Sequence, residues 1–151
     1  MEKHYKAYEL DINTLGFYVD RLLYAMIKRQ NKLLEEYGSD LQHSEFIVLK
    51  VLNALKEASQ SQLAGVMGKE RSGISRTLAS LEKKGYIIRK PLNGSTNIVT
   101  LSEKGERIRP MLFGISDELT NQAFKGFSEK QRNAVLNYLD KIYKNSLLKE
   151  D

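Results

Sequence analysis

The chain has 151 residues, 41% of them hydrophobic and 28% charged, which is typical of a folded protein and argues against disorder. It has no cysteine, so disulfides, thiolate metal sites and thiol-based redox sensing are excluded, and a cytoplasmic location is expected. Two histidines and no apolar run near 18 residues predict neither a metal site nor a membrane span, and the lack of a signal-peptide pattern predicts no export.

The net charge of +5 is concentrated in one short segment. Between Lys69 and Lys90 the sequence has seven basic and two acidic residues, so this segment carries the whole excess charge. Such a concentration is typical of a surface that binds a polyanion, although a solvated helix face is the alternative from charge alone. The basic residues are Lys69, Arg71, Arg76, Lys83, Lys84, Arg89 and Lys90.

Four helices are predicted in the first half of the chain from apolar residues at helical spacing. Gly38 is expected to end the long first helix, and Gly85 the fourth. The N-cap of the second helix stays open, because Asp40, Gln42 and Ser44 are all suitable. The predicted ranges are 10–37, about 43–56, 60–67 and 71–84.

A β-hairpin is predicted next, followed by two more helices. The runs 86–90 and 97–101 are apolar and β-branched, and an Asn-Gly pair lies between them. Helical spacing returns from Ser102, and we expect Pro110 to bend this helix within its first turns. The sequence from Ser128 onward forms a capping box that starts the last helix.

These elements predict a mainly α fold with a small β-hairpin wing, made of a winged helix-turn-helix lobe and a helical dimerisation stalk. The predicted domains are an N-terminal dimerisation helix over 1–37, a DNA-binding lobe over 38–101, and C-terminal linking and dimerisation helices over 102–151. The apolar stripes of the terminal helices lack partners in a small monomer, so we expect a homodimer that covers them.

Residues Gln60 to Leu78 have the spacing of a helix-turn-helix. Ala64 lies where the first helix packs closely on the second, and Gly68 suits the left-handed backbone of a tight turn. Ile74 follows six residues later and is predicted to anchor the second helix in the core. Any αα-hairpin can share this spacing, but here the basic segment begins at the second helix and a basic hairpin follows it.

The second helix of this motif is therefore predicted to read double-stranded DNA. Its face left over after packing carries small polar and cationic side chains suited to the major groove, where arginine can bond guanine with two hydrogen bonds. The start of the preceding helix is expected to provide a cap and to hold phosphate, and the hairpin to act as a wing. The predicted DNA-contacting residues are Gln60, Ser61, Arg71, Ser72, Ser75, Arg76, Lys83, Arg89, Lys90, Asn93 and Ser95.

At these residues the sequence resembles the MarR family of bacterial regulators. The resemblance lies in residues 61–68, in residues 75–87 and in Leu-Ser-Glu-Lys-Gly at 101–105, and it covers roughly residues 41–109. It implies a homodimer with a winged lobe in each subunit that binds pseudo-palindromic operators, often as a repressor. It also implies release from DNA in many members by a small phenolic or otherwise amphipathic ligand, bound between lobe and stalk.

The wing tip departs from the family pattern. Family wings commonly carry Asp-x-Arg, whose arginine enters the minor groove, whereas residues 92–97 of this chain contain no cation. We therefore expect a weaker or altered contribution from the wing, made through Arg89 and Lys90. Neutralising these two residues should weaken binding to all sequences and make its salt dependence shallower.

Four residues are candidates for the ligand cleft, with a place in the core or the dimer interface as the alternative for each: Phe17, Tyr18, Arg21 and Phe46. The chain is not expected to be an enzyme, because it has no phosphate-binding glycine loop, nucleophile elbow or metal-spaced cluster. The alternative function is an architectural DNA-binding protein with little sequence preference. Equal affinity for promoter and scrambled DNA would favour that alternative.

Overall fold

The computed structural model describes residues 13–94 and 96–147. The chain divides into two compact units, Met1–Ser116 and Asp117–Asp151. The domain boundaries expected from the sequence, at 37/38 and 101/102, do not coincide with this division and stay a prediction. Within the described ranges, no helix combines the length and the apolar composition that crossing a bilayer requires.

The first helix, α1, spans Leu15–Glu36, and Thr14 caps it by accepting a hydrogen bond from the Phe17 N–H. It begins five residues later than predicted, and residues 10–12 of the predicted range lie outside the described residues. Gly38, with a φ of 64°, follows its end as expected. Only the last third of α1 is buried in the first unit, through Gln30, Leu33 and Leu34.

The second helix, α2, spans His43–Leu55 and runs through the core of the first unit. Its N-cap is Gln42, which forms a reciprocal capping box with Glu45 and so decides among the three predicted candidates. The apolar side of α2 is almost completely inaccessible to solvent, which makes this helix the central packing element. Its buried apolar residues are Phe46, Val48, Leu49 and Leu52.

Helices α3 (Gln60–Met67) and α4 (Arg71–Lys83) form the predicted helix-turn-helix. Gly68 ends α3 in the left-handed conformation, with a φ of 58° that a side chain would disfavour. Ala64 is buried where the two helices approach, and its carbonyl accepts a hydrogen bond from the Lys69 N–H. Ile74 is buried as predicted, together with Leu78 and Leu81.

Three antiparallel strands form one sheet in the order β1-β3-β2. The wing strands β2 (Ile87–Asn93) and β3 (Thr96–Leu101) extend further toward the turn than predicted, and the short strand β1 (Glu57–Ser59) was not predicted at all. Ala58 of β1 is buried opposite Val99 of β3. The sheet therefore ties the wing to the segment between α2 and α3.

Helix α5 (Glu103–Arg107) and helix α6 (Arg109–Ala123) follow the sheet, separated at Ile108. The expectation that Pro110 bends one helix is wrong. Pro110 is the second residue of α6, where a missing N–H leaves no intrahelical hydrogen bond unmade, so the proline marks a new start. Leu112 and Ile115 of α6 are buried in the first unit.

The second unit contains the last helix, α7, over Glu129–Ser146. The capping box predicted at Ser128 is present, with Gln131 as its partner. Before it, Phe124 and Phe127 meet edge to face, with ring centres 5.6 Å apart. Along α7, five large hydrophobic side chains are exposed: Leu136, Tyr138, Leu139, Tyr143 and, at its C-cap, Leu147.

Candidate nucleic-acid interface

One face of α4 is available to a partner, because the opposite face is buried in the core. Arg71, Ser72 and Arg76 are exposed and Ser75 is half-buried. Glu70, at the N-cap of α4, makes no capping hydrogen bond through its side chain. The first turn of α4 thus presents an exposed arginine and an exposed hydroxyl, as the sequence predicted.

The start of α3 meets the start of α4 and the inner side of the wing at a polar hollow of about 300 Å³. The Gln60 side chain donates a 3.1 Å hydrogen bond to the carbonyl of Arg71, which couples the two helices. Ser61 and Arg89 line the same hollow. The expected capping role is corrected: Ser59 caps α3, with Gln62 as its partner, so Gln60 and Ser61 are left to face the hollow.

The wing contributes fewer exposed charges than the sequence predicted. Nε of Arg89 lies 3.1 Å from Oε2 of Glu82, and the Arg89 side chain is only 22% exposed. Lys90 and Asn93 are exposed, and so is Lys83 in the last turn of α4. Arg89 therefore fits a role in holding the wing against α4, and Lys90 is the wing's exposed cation. Ser95 lies outside the described residues.

A buried acid stabilises the junction between α2 and α4. The Glu45 side chain is 3% exposed and accepts hydrogen bonds from Ser80 (2.6 Å), from the Gln42 N–H (2.8 Å) and from Nζ of Lys84 (2.7 Å). Burial alone would raise the pKa of Glu45, but these hydrogen bonds and the Lys84 charge together lower the pKa below its ordinary value. Glu45 is thus charged and fully partnered, a role that sequence reasoning did not find.

Lys84 belongs to the basic segment but turns inward. Besides Glu45, its ammonium group bonds the carbonyl of Asp40. The Asp40 carboxylate accepts a 2.8 Å hydrogen bond from the Tyr86 hydroxyl. Burial, this hydrogen bond and the nearby carboxylates raise the pKa of Tyr86 to about 12. The charge of Lys84 therefore supports the fold and is not presented to a nucleic acid.

The Leu-Ser-Glu-Lys-Gly segment after the wing also has a structural role. Ser102 caps α5, Lys104 donates a hydrogen bond to the Lys84 carbonyl, and its ammonium group lies 4.2 Å from the centre of the Tyr86 ring. Gly105 approaches Tyr86 so closely that an added Cβ would lie 2.2 Å from the Tyr86 carbonyl oxygen. This segment fixes the end of the wing to the end of α4.

An apolar pocket of about 630 Å³ opens between α2, α3 and α4. Its wall is mostly apolar, with Ile47, Val51 and Met67 among its residues, while His43 and Arg76 are polar lining residues. Nδ1 of His43 lies 2.6 Å from Oε1 of the buried Gln30. Burial and then the nearby Lys69 charge lower the pKa of His43. Sequence reasoning missed this pocket, since its walls come from three separate helices.

The four predicted ligand residues lie elsewhere. The rings of Phe17 and Tyr18 meet at 6.0 Å, and the guanidinium of Arg21 lies 5.2 Å from the centre of the Phe17 ring. Phe46 is part of the core. None of the four lines the apolar pocket. A ligand role for them stays a prediction that the pocket does not support.

Among the described residues, no group of three or more histidine, cysteine or acidic side chains is arranged to hold a metal ion. The sequence model of the MarR family matches residues 39–94, which contain α2, α3, α4 and the first wing strand, β2. The winged helix-turn-helix over these residues is therefore similar to that of the MarR family. Both the family and the fold class predicted from the sequence are thereby confirmed.

Similarity to known regulators extends beyond the residues that the family model matches. An HTH-type transcriptional regulator of Bacillus cereus is 28% identical over 144 residues, covering 91% of this chain and 95% of the relative. The regulator SarZ of Staphylococcus haemolyticus is 27% identical over 125 residues, covering 80% of this chain and 81% of SarZ. These relatives are named as transcriptional regulators, in agreement with the prediction that the chain is not an enzyme.

Two solved structures share the fold. A MarR-family regulator from Listeria monocytogenes, in complex with a 26mer DNA, has a TM-score of 0.81 at 24% identity, covering 88% of this chain and 89% of its own. A mutant MarR of Escherichia coli, in complex with operator DNA, has a TM-score of 0.77 at 19% identity, covering 87% and 95%. The MarR-type fold therefore extends over most of this chain.

Proposed function

We propose that this protein is a sequence-specific, double-stranded DNA-binding transcriptional regulator that acts as a homodimer, as a repressor and in the cytoplasm. The observation that carries the proposal is the first turn of α4, where Arg71 and Ser72 are exposed while Ile74 is buried and anchors the helix in the core. A helix anchored in this way can enter a major groove and present arginine to guanine. The DNA complexes of its structural relatives support the same reading.

The homodimer supports binding to a pseudo-palindromic operator, since two lobes related by a twofold axis meet two half-sites. The exposed apolar stripes on α1 and α7 support self-association, because large apolar side chains on one helix face are unfavourable in water. A wing held by the Arg89–Glu82 pair supports a fixed geometry between α4 and the wing.

A small amphipathic effector is proposed to bind the apolar pocket. Its apolar wall suits an aromatic ring, and two basic lining residues, Lys69 and Arg76, suit an anionic or phenolic group. Ser72 and Arg76 line the pocket and are also predicted to contact DNA, so an occupied pocket and bound DNA would compete for the same side chains. Aromatic carboxylates should bind the wild type and lower its DNA affinity, and Ile47→Trp, which fills the pocket, should abolish this response.

The test of sequence specificity is the selection of duplexes from a random library by the wild-type protein, followed by affinity measurements at physiological salt. A sequence-specific regulator should bind the selected duplex several orders of magnitude more tightly than a scrambled one. Arg71→Ala should cost about 1–3 kcal/mol of this preference, whereas Arg107→Ala, an exposed arginine on α5, should leave it unchanged. An affinity ratio near one for the wild type would favour the architectural alternative.

A further inference from the structure

The tip of the wing contains a β-bulge that displaces one apolar residue. Pro91 pairs with Asn97 and Asn93 pairs with Thr96, so Leu92 has no partner of its own on β3. A bulge of this kind leaves the extra residue outside the regular ladder and redirects its side chain. Leu92 is 60% exposed at this point.

The surroundings of Leu92 are uncharged. From Pro91 to Asn97 the sequence has no acidic or basic residue, and Lys90 is the last cation before the tip. Pro91 is exposed as well, so two consecutive apolar residues are exposed at the tip of the wing. The proline ring restricts the backbone just before the bulge, which reduces the freedom of the segment that carries Leu92.

The outer face of the wing continues this apolar character toward its base. Ile88 pairs with Thr100 and Lys90 pairs with Ile98, which places these side chains on one face, while Val99 on the other face is buried. Ile88 is exposed and Ile98 is half-buried. Among the described residues, this face of the wing thus has one cation, Lys90, between an apolar base and an apolar tip, while Arg89 lies on the other face.

We propose that Leu92, supported by Pro91, is an apolar wedge that enters the minor groove beside the site read by α4 and partly unstacks one base step. The inference rests on the proposed DNA-binding function. Leucine and proline are among the side chains that act as minor-groove wedges, and such wedges bend the duplex. Lys90 lies two residues before Leu92 and holds a flanking phosphate.

This arrangement assigns the wing a particular kind of specificity. A wedge selects steps that unstack readily, which are the pyrimidine–purine steps, and it makes no hydrogen bond to a base edge. Its contribution to affinity is also insensitive to salt, because it releases no counterions, unlike the contact of Lys90 with phosphate. Salt dependence and DNA bending therefore separate the two side chains.

The test uses the full-length protein and the duplex that the wild type selects from a random library, with end-labelled DNA to measure bending by energy transfer. Leu92→Ser should lower the affinity about tenfold, as expected for loss of most of a buried leucine contact, with an unchanged salt slope and a smaller bend. Leu92→Met should retain both affinity and bend. Lys90→Gln should lower the slope of log affinity against log salt by about 1 and keep the bend.

Thermal unfolding of Leu92→Ser should match that of the wild type, because the side chain is largely exposed. Affinity within twofold of wild type together with an unchanged bend would overturn the wedge, and the proposed function would stand if Arg71→Ala still lost its preference. A weaker self-association of Leu92→Ser without DNA would assign the tip to a protein contact and also overturn the wedge. If the wild type selects no sequence, the proposed function fails and the wedge with it.

Discussion

At the scale of single residues, charge in the basic segment has two different uses. Lys84 and Arg89 lie against Glu45 and Glu82, whereas Arg71 and Arg76 face outward. Stability should depend more on the Glu45–Lys84 pair than on the Arg89–Glu82 pair, because the Glu45 carboxylate is nearly inaccessible to water. A buried ion pair contributes little net stability compared with an apolar pair, but removing one partner leaves an uncompensated charge.

We expect Lys84→Met to destabilise the fold by about 3 kcal/mol, since Glu45 then stays buried without its cation. The matched control is Lys83→Met on the exposed neighbouring residue, which should change stability by less than about 0.5 kcal/mol. Urea unfolding followed by circular dichroism measures both variants. Equal effects of the two substitutions would contradict the structural role of Lys84.

The free energy of unfolding should be highest between about pH 6.5 and pH 10. The pKa of His43 is lowered in the fold, so the unfolded chain binds a proton first and stability falls as the pH drops below the ordinary value of 6.5. The lowered pKa of Glu45 adds a second loss below 4.5. The pKa of Tyr86 is raised to about 12, so its contribution is lost as the pH rises from 10.

Urea unfolding measured across this pH range checks the profile. His43→Asn should flatten the decline between pH 6.5 and 4.5, while Tyr86→Phe should flatten the decline above pH 10. If the free energy of unfolding of His43→Asn varied with pH as that of the wild type does, His43 would not be the cause of the loss of stability below pH 6.5.

At the scale of elements, the attachment of α5 to the end of α4 depends on a position without a side chain. Gly105→Ala should destabilise the protein by about 3 kcal/mol, the upper end of overpacking costs, because the new Cβ meets the Tyr86 carbonyl. Gly65→Ala in α3 has nothing within 4 Å of the new Cβ and should stabilise the protein by up to about 1 kcal/mol through helix propensity. Differential scanning calorimetry of the pair measures the contrast.

The sequence predicts best those elements whose limits are set locally. The ends of α4 are predicted within one residue, because Gly68 and Gly85 lie on either side and both adopt positive φ. Strand β1 was not predicted, because its three residues form a strand only by pairing with β3, which lies about forty residues further along the sequence. Long-range pairing of this kind leaves no periodic pattern in a short segment.

The candidate site follows the same rule. The outward face of α4 could be deduced from helical spacing once Ile74 and Leu78 were assigned to the core. The inward turn of Lys84 could not, because its partner Glu45 is 39 residues away and nothing in the local sequence marks the pair. The spacing of Gln42 and Glu45 indicates a capping box, but it does not indicate that Lys84 also pairs with Glu45.

At the scale of the whole molecule, the predicted homodimer depends on the exposed apolar stripe along α1, formed by Leu15, Val19, Leu22 and Met26. Leu22→Glu should shift the protein toward monomer, because Leu22 is exposed in the single chain and a carboxylate there opposes burial against a second subunit. The control is Tyr24→Glu, which adds the same charge at a 70% exposed side chain away from the stripe. Sedimentation equilibrium at micromolar concentration measures both, and a monomeric wild type would contradict the dimer.

The two ion pairs of the basic segment also influence the rate at which the proposed regulator associates with DNA. Within the described residues, Lys69, Arg71 and Arg76 take part in no ion pair with an acid, and all three lie at or near the first turns of α4, while the charges of Lys84 and Arg89 are offset by acids. Three of the five exposed cations of the basic segment therefore lie toward the start of α4, and the other two are Lys83 and Lys90. Electrostatic steering then favours encounters in which the start of α4 arrives first, which raises the association rate at low ionic strength by orienting the lobe before contact.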